Sequence, residues 1–150
     1  MPVPVTLLYA TVSGNAEQLA TVAAERLRAA GHAVQVDNVA AFPAVRLRET
    51  DTVLIIASTW GEGEPPPEAA GFCTALRAHD QLRLGHLRYA VLALGSSTYR
   101  DFCGCGRRID EDLAVCGATR LLARVECDTK YRAKFETWLV DVLQALKHIT

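Results

Sequence analysis

Val5-Thr-Leu-Leu-Tyr-Ala-Thr-Val-Ser-Gly-Asn-Ala-Glu17 runs from an apolar segment directly into a small, hydroxyl-rich loop that opens a helix. Val5 to Ala10 has the near-continuous apolar character of a strand buried on both faces, as in a parallel sheet covered by helices. Beyond Gly14, apolar residues fall at Ala16, Leu19, Ala20, Ala23, Leu27 and Ala30, which is helical spacing, and Gly31 stands where a C-terminal cap is expected.

The same passage from strand to loop recurs twice. Val53 to Ala57 leads into Ser58-Thr-Trp-Gly-Glu-Gly-Glu64, and Tyr89 to Leu94 leads into Gly95-Ser-Ser-Thr-Tyr-Arg-Asp-Phe-Cys103. Val34, Val36 and Val39 suggest a short strand with a more exposed face, and Phe42 to Glu49 has room for a turn or two. Pro65-Pro-Pro67 opens a helix through Glu68, Phe72 and Leu76, since proline is tolerated in a first helical turn. Ile109, Leu113 and Cys116 form a further stripe, stopped by Gly117. Leu121 to Val125 reads as a fifth strand, and Phe135, Trp138, Leu139, Val142, Leu146 and Ile149 as the stripe of a final helix. Alternating strands and helices with short right-handed crossovers predict a doubly wound α/β fold, with residues 1–150 as a single domain. In such sheets ligands bind beyond the carboxyl ends of the strands, where the three loops would converge.

Half of the 150 residues are hydrophobic and the formal net charge is −1, which gives no general case for nucleic-acid binding. The N-terminal apolar run lacks a basic flank and is too short for a signal peptide, and no apolar stretch approaches membrane-spanning length. Five cysteines without a disulfide-framework pattern are expected as free thiols in a reducing cytoplasm. Cys103 and Cys105 have no partner set that would complete a zinc site, so no metal is expected. The four histidines fall in separate regions and carry no assigned role, and Asp110, Glu111 and Asp112 read as the solvated face of a helix.

The first loop suits an anion. Unpaired backbone N–H groups at a helix N-terminus point outward and the helix dipole favours negative charge. Gly14 lets the chain turn, and Thr11, Ser13 and Asn15 add donors without charge; an ordinary helix cap is the competing reading. There is no G-x-x-x-x-G-K-S/T and no G-x-G-x-x-G after the first strand, which removes the common nucleotide-phosphate motifs. Trp60 and Tyr99 each sit among small and polar residues at a strand end, where their faces are open to a flat heterocycle. A phosphate cradle and two aromatics on adjacent loops point to one ligand with a phosphate at one end and a ring at the other.

These segments resemble the flavodoxin family, the FMN-binding electron carriers, over essentially the whole chain. Thr11-Val-Ser-Gly-Asn-Ala-Glu17 resembles the family's S/T-x-S/T-G-N-T/A-E phosphate loop, and the Ser58 to Pro66 and Leu94 to Cys103 segments resemble the two loops that sandwich the isoalloxazine. The Gly-Glu-Gly-Glu-Pro-Pro and Tyr-x-x-Phe-Cys runs look closest to the FMN domains of sulfite reductase flavoproteins and cytochrome P-450 reductases, and to short stand-alone flavodoxins of the MioC type. The resemblance implies a flavodoxin-like three-layer α/β/α fold with five parallel strands in the order 2-1-3-4-5. It implies that Thr11, Val12, Ser13, Gly14, Asn15 and Ala16 hold the FMN phosphate. Trp60 and Tyr99 would flank the ring, and Ser58, Thr59, Gly61, Glu62, Leu94, Gly95, Ser96, Phe102 and Cys103 would meet its edges. Ala16 lacks a hydroxyl that many members carry, and Ser96 stands where relatives often have Asp, which removes a carboxylate near the flavin.

The implied function is a one-electron carrier between an NADPH-dependent flavodoxin/ferredoxin reductase and acceptor proteins, monomeric, with no nucleic-acid or membrane partner. The Gly61–Glu62 peptide is expected to turn its carbonyl toward the reduced ring. Glu62, Glu64 and Glu68 form either a solvated acidic loop or a docking surface for basic redox partners, with Arg100, Arg107 and Arg108 diluting the acidity nearby. A flavin-dependent quinone or small-molecule reductase is a rival, disfavoured because Trp60 and Tyr99 would cover both ring faces. A signalling receiver domain lacks its acidic residues here, at Thr11 and Ser58-Thr59. A detached FMN domain of a diflavin reductase is a further alternative, against which the start at Met1 and the stop after the last helix are expected to favour a free protein.

Overall fold

Strand β3, Thr52–Ser58, is buried at every position and organises the molecule. Its side chains alternate between two cores: Val53, Ile55 and Ala57 enter one, Leu54 and Ile56 the other. Each fully buried Leu or Ile contributes about 1.5–3 kcal/mol relative to exposure, so a strand with two apolar faces is held only where helices cover both. The structure, a computed structural model, describes residues 3–79 and 82–149.

Around β3 lie β1 (Val5–Ala10) and β4 (Arg88–Leu94), both parallel to it, paired from Thr6 to Ala10 and from Arg88 to Leu94. Strand β2 (Val34–Asn38) flanks β1, and its partly exposed positions mark it as an edge. The far edge is β5 (Thr119–Arg120) followed by β6 (Val125–Cys127), both on β4. The order β2-β1-β3-β4-β5 is the expected one.

Helices α1 (Asn15–Ala29) and α4 (Arg132–Lys147) cover one face, supplying Leu19, Ala23 and Leu27 beside Phe135, Trp138 and Val142. Helices α2 (Ala70–Arg77) and α3 (Gly104–Val115) cover the other, with Phe72, Leu76, Ile109 and Leu113. A 3-10 turn over Pro67–Ala69 precedes α2, so the proline run opens the helix as its fixed φ allows. The segment between β2 and β3 holds two further 3-10 turns, Val39–Ala41 and Ala44–Glu49, whose Val39, Ala44 and Leu47 are buried. Among the described residues no helix is long and apolar enough to cross a membrane.

Two expectations are corrected. Leu121 to Val125 is not the fifth strand: the ladder to β4 closes at Thr119–Arg120, opens over 121–124 and closes again at Val125–Cys127. Asp110 is not on a solvated face but is 2% exposed, and it accepts from Arg120 Nε at 2.8 Å, Arg120 Nη2 at 3.0 Å and Arg124 Nη1. The opening in the strand brings Arg124 back to the carboxylate that Arg120 also binds, so a buried charge is paired twice rather than left uncompensated. Of its neighbours, Glu111 is exposed and Asp112 meets His79 Nε2 at 2.9 Å.

Candidate cofactor site

The carboxyl ends of β1, β3 and β4 open into one cleft. It is lined by Val12, Ser13 and Asn15 from the first loop, Ser58, Thr59 and Gly61 from the second, and Leu94, Gly95, Ser96, Tyr99 and Cys103 from the third.

The first loop is built as a donor cradle. Thr11 Oγ1 accepts from Gly14 N–H at 2.9 Å, folding the loop on itself, and Gly14 has φ 93°, a left-handed turn. Helix α1 then starts without a side-chain cap. Gln18 N–H reaches the Gly14 carbonyl at 3.0 Å, while the N–H groups of Asn15, Ala16 and Glu17 have no backbone acceptor among the described residues. Uncapped donors at a helix N-terminus fit an anion such as a terminal phosphate. Thr11 and Gly14 shape the loop rather than line the cleft. The Ala16 side chain is wholly buried in the core under α1, so only its backbone is available to a ligand.

The second loop is a tight turn. Trp60 and Glu64 exchange backbone hydrogen bonds, N–H to O at 2.8 and 2.9 Å, and Gly61 at the turn has φ 54°. Trp60 is 46% exposed and stands on the rim rather than in the wall; Glu62 is exposed beside it. Thr59 anchors the base of the loop: its N–H donates to Leu94 O at 3.1 Å and its Oγ1 accepts from Cys105 N–H at 3.3 Å.

In the third loop Tyr99 is 51% exposed yet lines the cleft, so one ring face is open to a ligand. Cys103 ends the loop with φ 56°, fully buried, and its Sγ lies 3.4 Å from Ala93 O and 3.5 Å from Cys127 O. Burial pushes its thiol up to about 12, so it is a neutral wall residue, not a nucleophile. Phe102 is half-buried and outside the lining, contributing its carbonyl to Arg107 at 3.4 Å. Arg107 and Arg108 do not dilute surface acidity as free charges: both bind the carboxylate of Asp101.

A fourth loop completes the cleft. Asp128, Thr129 and Tyr131, which follow β6, line it together with Asp101. Asp128 Oδ1 accepts from Ser97 N–H at 3.1 Å and from Thr129 N–H at 2.8 Å. Donation from Ser97, side chain and backbone, holds the Asp128 carboxyl below the usual carboxylate range. The carboxylate absent at Ser96 has a counterpart in the cleft at Asp128, whereas Asp101 is neutralised by Arg107 and Arg108. Sequence reading missed these residues although the rule that ligands sit at strand carboxyl ends applies equally to the loop after the last strand.

The remaining thiols are all free and buried. The neighbouring Cys105 thiol lowers Cys73, Cys73 together with burial raises Cys105, and burial raises Cys116 and takes Cys127 to about 11. Native-state alkylation followed by peptide mapping is expected to label Cys73 ahead of the other four.

Comparison with known proteins supports this geometry. The flavodoxin family model matches residues 7–138. The sulfite reductase (NADPH) flavoprotein alpha-component of Bacillus subtilis is 39% identical over 142 residues, covering 95% of this chain and 24% of that protein. A Shewanella protein of the same name is 38% identical over 143 residues, with 95% and 24% coverage. The chain thus spans about a quarter of the length of these curated relatives. Among solved structures, the Streptococcus pneumoniae TIGR4 flavodoxin superposes with a TM-score of 0.85 at 25% identity, covering 97% of this chain and 99% of that one. A single-residue mutant of Pseudomonas aeruginosa flavodoxin gives 0.82 at 29% identity, with 96% and 99% coverage. A doubly wound sheet in the observed strand order, an uncapped donor cradle after its first strand and aromatic loops after its third and fourth agree with these matches, and the chain belongs to the flavodoxin family of electron-transfer flavoproteins.

Proposed function

We propose that the cleft binds FMN and that the protein carries single electrons between protein partners. The observation that carries this reading is the meeting, in one cleft, of an uncapped helix N-terminus and an open tyrosine face. The N–H groups of Asn15, Ala16 and Glu17, with Ser13 and Asn15 side chains, would hold the phosphate. Tyr99 and Trp60 would take the two ring faces, with Gly61, Gly95, Ser96 and Cys103 at the ring edges. Bound FMN would supply the redox chemistry, which the polypeptide lacks. The residues orient the ring, exclude water from its faces and leave an edge for electron exchange. Elements from Val5 to Lys147 share one sheet and its two covering layers, which supports a single FMN-binding domain over residues 1–150. Five free, buried cysteines support a reducing, cytoplasmic setting.

The Gly61–Glu62 peptide has a specific task in this reading. Its carbonyl would be the acceptor offered to the edge of a bound flavin, reached by a change in backbone dihedrals that glycine makes at low cost. A Cβ at Gly61 meets nothing within 4 Å, so Gly61→Val acts on the backbone and not by a clash. A left-handed conformation costs a side-chain-bearing residue about 1–2 kcal/mol, and the hydrogen bond is worth about 1 kcal/mol net. Potentiometry is expected to find the gap between the two one-electron potentials narrowed by about 40 mV, since tenfold in a one-electron equilibrium is about 59 mV.

The donor would be an NADPH-dependent flavodoxin/ferredoxin reductase, with the chain acting as a monomer. A second reading is favoured by the match to about a quarter of a longer flavoprotein: the chain would then act as the FMN domain of a diflavin reductase. The test mixes FMN-loaded protein, NADPH and a separate reductase of that class, with cytochrome c as acceptor. Reduction of cytochrome c that needs all the components, slows with ionic strength and does not occur with NADPH alone supports the carrier. Direct NADPH oxidation by the protein alone would make it a reductase instead. The exposed Glu62, Glu64 and Glu68 motivate the salt arm.

A further inference from the structure

The tip of the Trp60 loop is tied to the rest of the protein by one side chain. Residues 60–64 bond to one another across the turn, and among the described residues their one hydrogen bond to another segment is from Arg108 Nη1 to Gly63 O, at 2.5 Å. Arg108 Nη2 also donates to Asp101 Oδ2, and Arg107 Nη2 donates to Asp101 Oδ1. Asp101 lies two residues after Tyr99. The chain Gly63–Arg108–Asp101 therefore joins the loops that carry the two aromatics.

The fit around this link is close. A Cβ on Gly63 would come within 2.4 Å of the Asp101 side chain. A Cβ on Gly104, at the start of α3, would stand 2.7 Å from both Asp101 Oδ2 and Gly63 O. Glycine at both positions lets the second loop rest on the N-terminus of α3. The Asp101 side chain is 20% exposed and holds two guanidinium groups, and Gly63 is buried, which sets the link apart from a solvated surface pair.

We propose that Asp101 is a positioning residue which, through Arg108 and the Gly63 carbonyl, holds the Trp60 loop against the Tyr99 loop and so sets how long FMN stays in the cleft. This rests on the FMN reading. Release of a ring held between two loops requires them to part, and parting them at the tip breaks this link. Arg108 does not line the cleft, so its effect can reach FMN only through the loops.

The experiment measures FMN release by stopped flow from the loaded wild type, Asp101→Ala, Arg108→Ala and the double variant, and amide exchange at residues 60–64 in the FMN-free proteins. Each single variant is expected to speed release about tenfold, equivalent to about 1.4 kcal/mol. The double variant should be no faster than either single one, because all remove one link. Exchange at 60–64 should rise in all three. Unchanged release in Arg108→Ala beside faster release in Asp101→Ala would overturn the proposal, since Asp101 would then act on FMN directly. Additive effects, or unchanged exchange at 60–64, would also overturn it. Failure of the wild type to bind FMN would refute the functional reading separately, and the exchange comparison would still decide the clamp.

Discussion

Ser13→Asp is expected to weaken FMN binding by about a thousandfold while leaving riboflavin binding within about tenfold of wild type. Ser13 lines the cleft and is exposed, so the change adds a carboxylate to the donor cradle without disturbing packing. A like charge at about 4 Å from the phosphate costs about 4 kcal/mol at an effective dielectric constant of about 20, and each 1.4 kcal/mol is about tenfold in affinity. Riboflavin shares the ring but has no phosphate, and it separates the two ends of the site. Fluorescence titration of the FMN-free protein with both ligands makes the comparison. Equal losses for both would mean that the loop had been distorted, and an unaffected FMN affinity would place the phosphate elsewhere.

The second large effect concerns the far edge of the sheet. Replacing both Arg120 and Arg124 with alanine is expected to destabilise the fold by about 3–5 kcal/mol, because it strands the buried carboxylate of Asp110. Asp110→Ala should cost less. The side chains of Arg120 and Arg124 are 44% and 23% exposed and can turn toward solvent, whereas that of Asp110 is 3% exposed and cannot. The asymmetry is the informative part, and urea unfolding of the three proteins measures it. A double arginine variant as stable as Asp110→Ala would contradict the buried-charge account. Because α3 begins at the cleft wall and carries Asp110, loosening this edge should also weaken FMN binding.

The central strands are legible in the sequence because they are buried on both faces and read as unbroken apolar runs. Strand β1 lies over the predicted residues, and β3 and β4 differ by single positions at their ends. The last strand is harder to read because Leu121 and Leu122 look strand-like but are half-buried in the opening between β5 and β6. What fixes that opening is a tertiary pairing, Arg124 with Asp110, that no local pattern encodes. Likewise α3 starts at Gly104, ahead of its apolar stripe. Gly104-Cys-Gly106 resembles a loop, yet a Cβ on Gly106 would come within 2.4 Å of Ala93 Cβ, so helix-on-strand contact selects that glycine rather than a turn.

The site divides in the same way. Loops with unusual chemistry announced themselves: a hydroxyl-rich helix start and two aromatics among small residues. Asp101, Asp128, Thr129 and Tyr131 did not, because a carboxylate or tyrosine near a strand end is unremarked until topology brings it to the same cleft. Trp60 was expected against the ring and stands exposed on the rim of the cleft.

Incubating the purified protein with FMN, desalting it and recording its visible spectrum tests the central claim most directly. A yellow protein retaining one FMN per chain is expected, with riboflavin retained far less well. A colourless protein, or one that retains riboflavin as well as FMN, would contradict a site built from a phosphate cradle and a pair of aromatic loops.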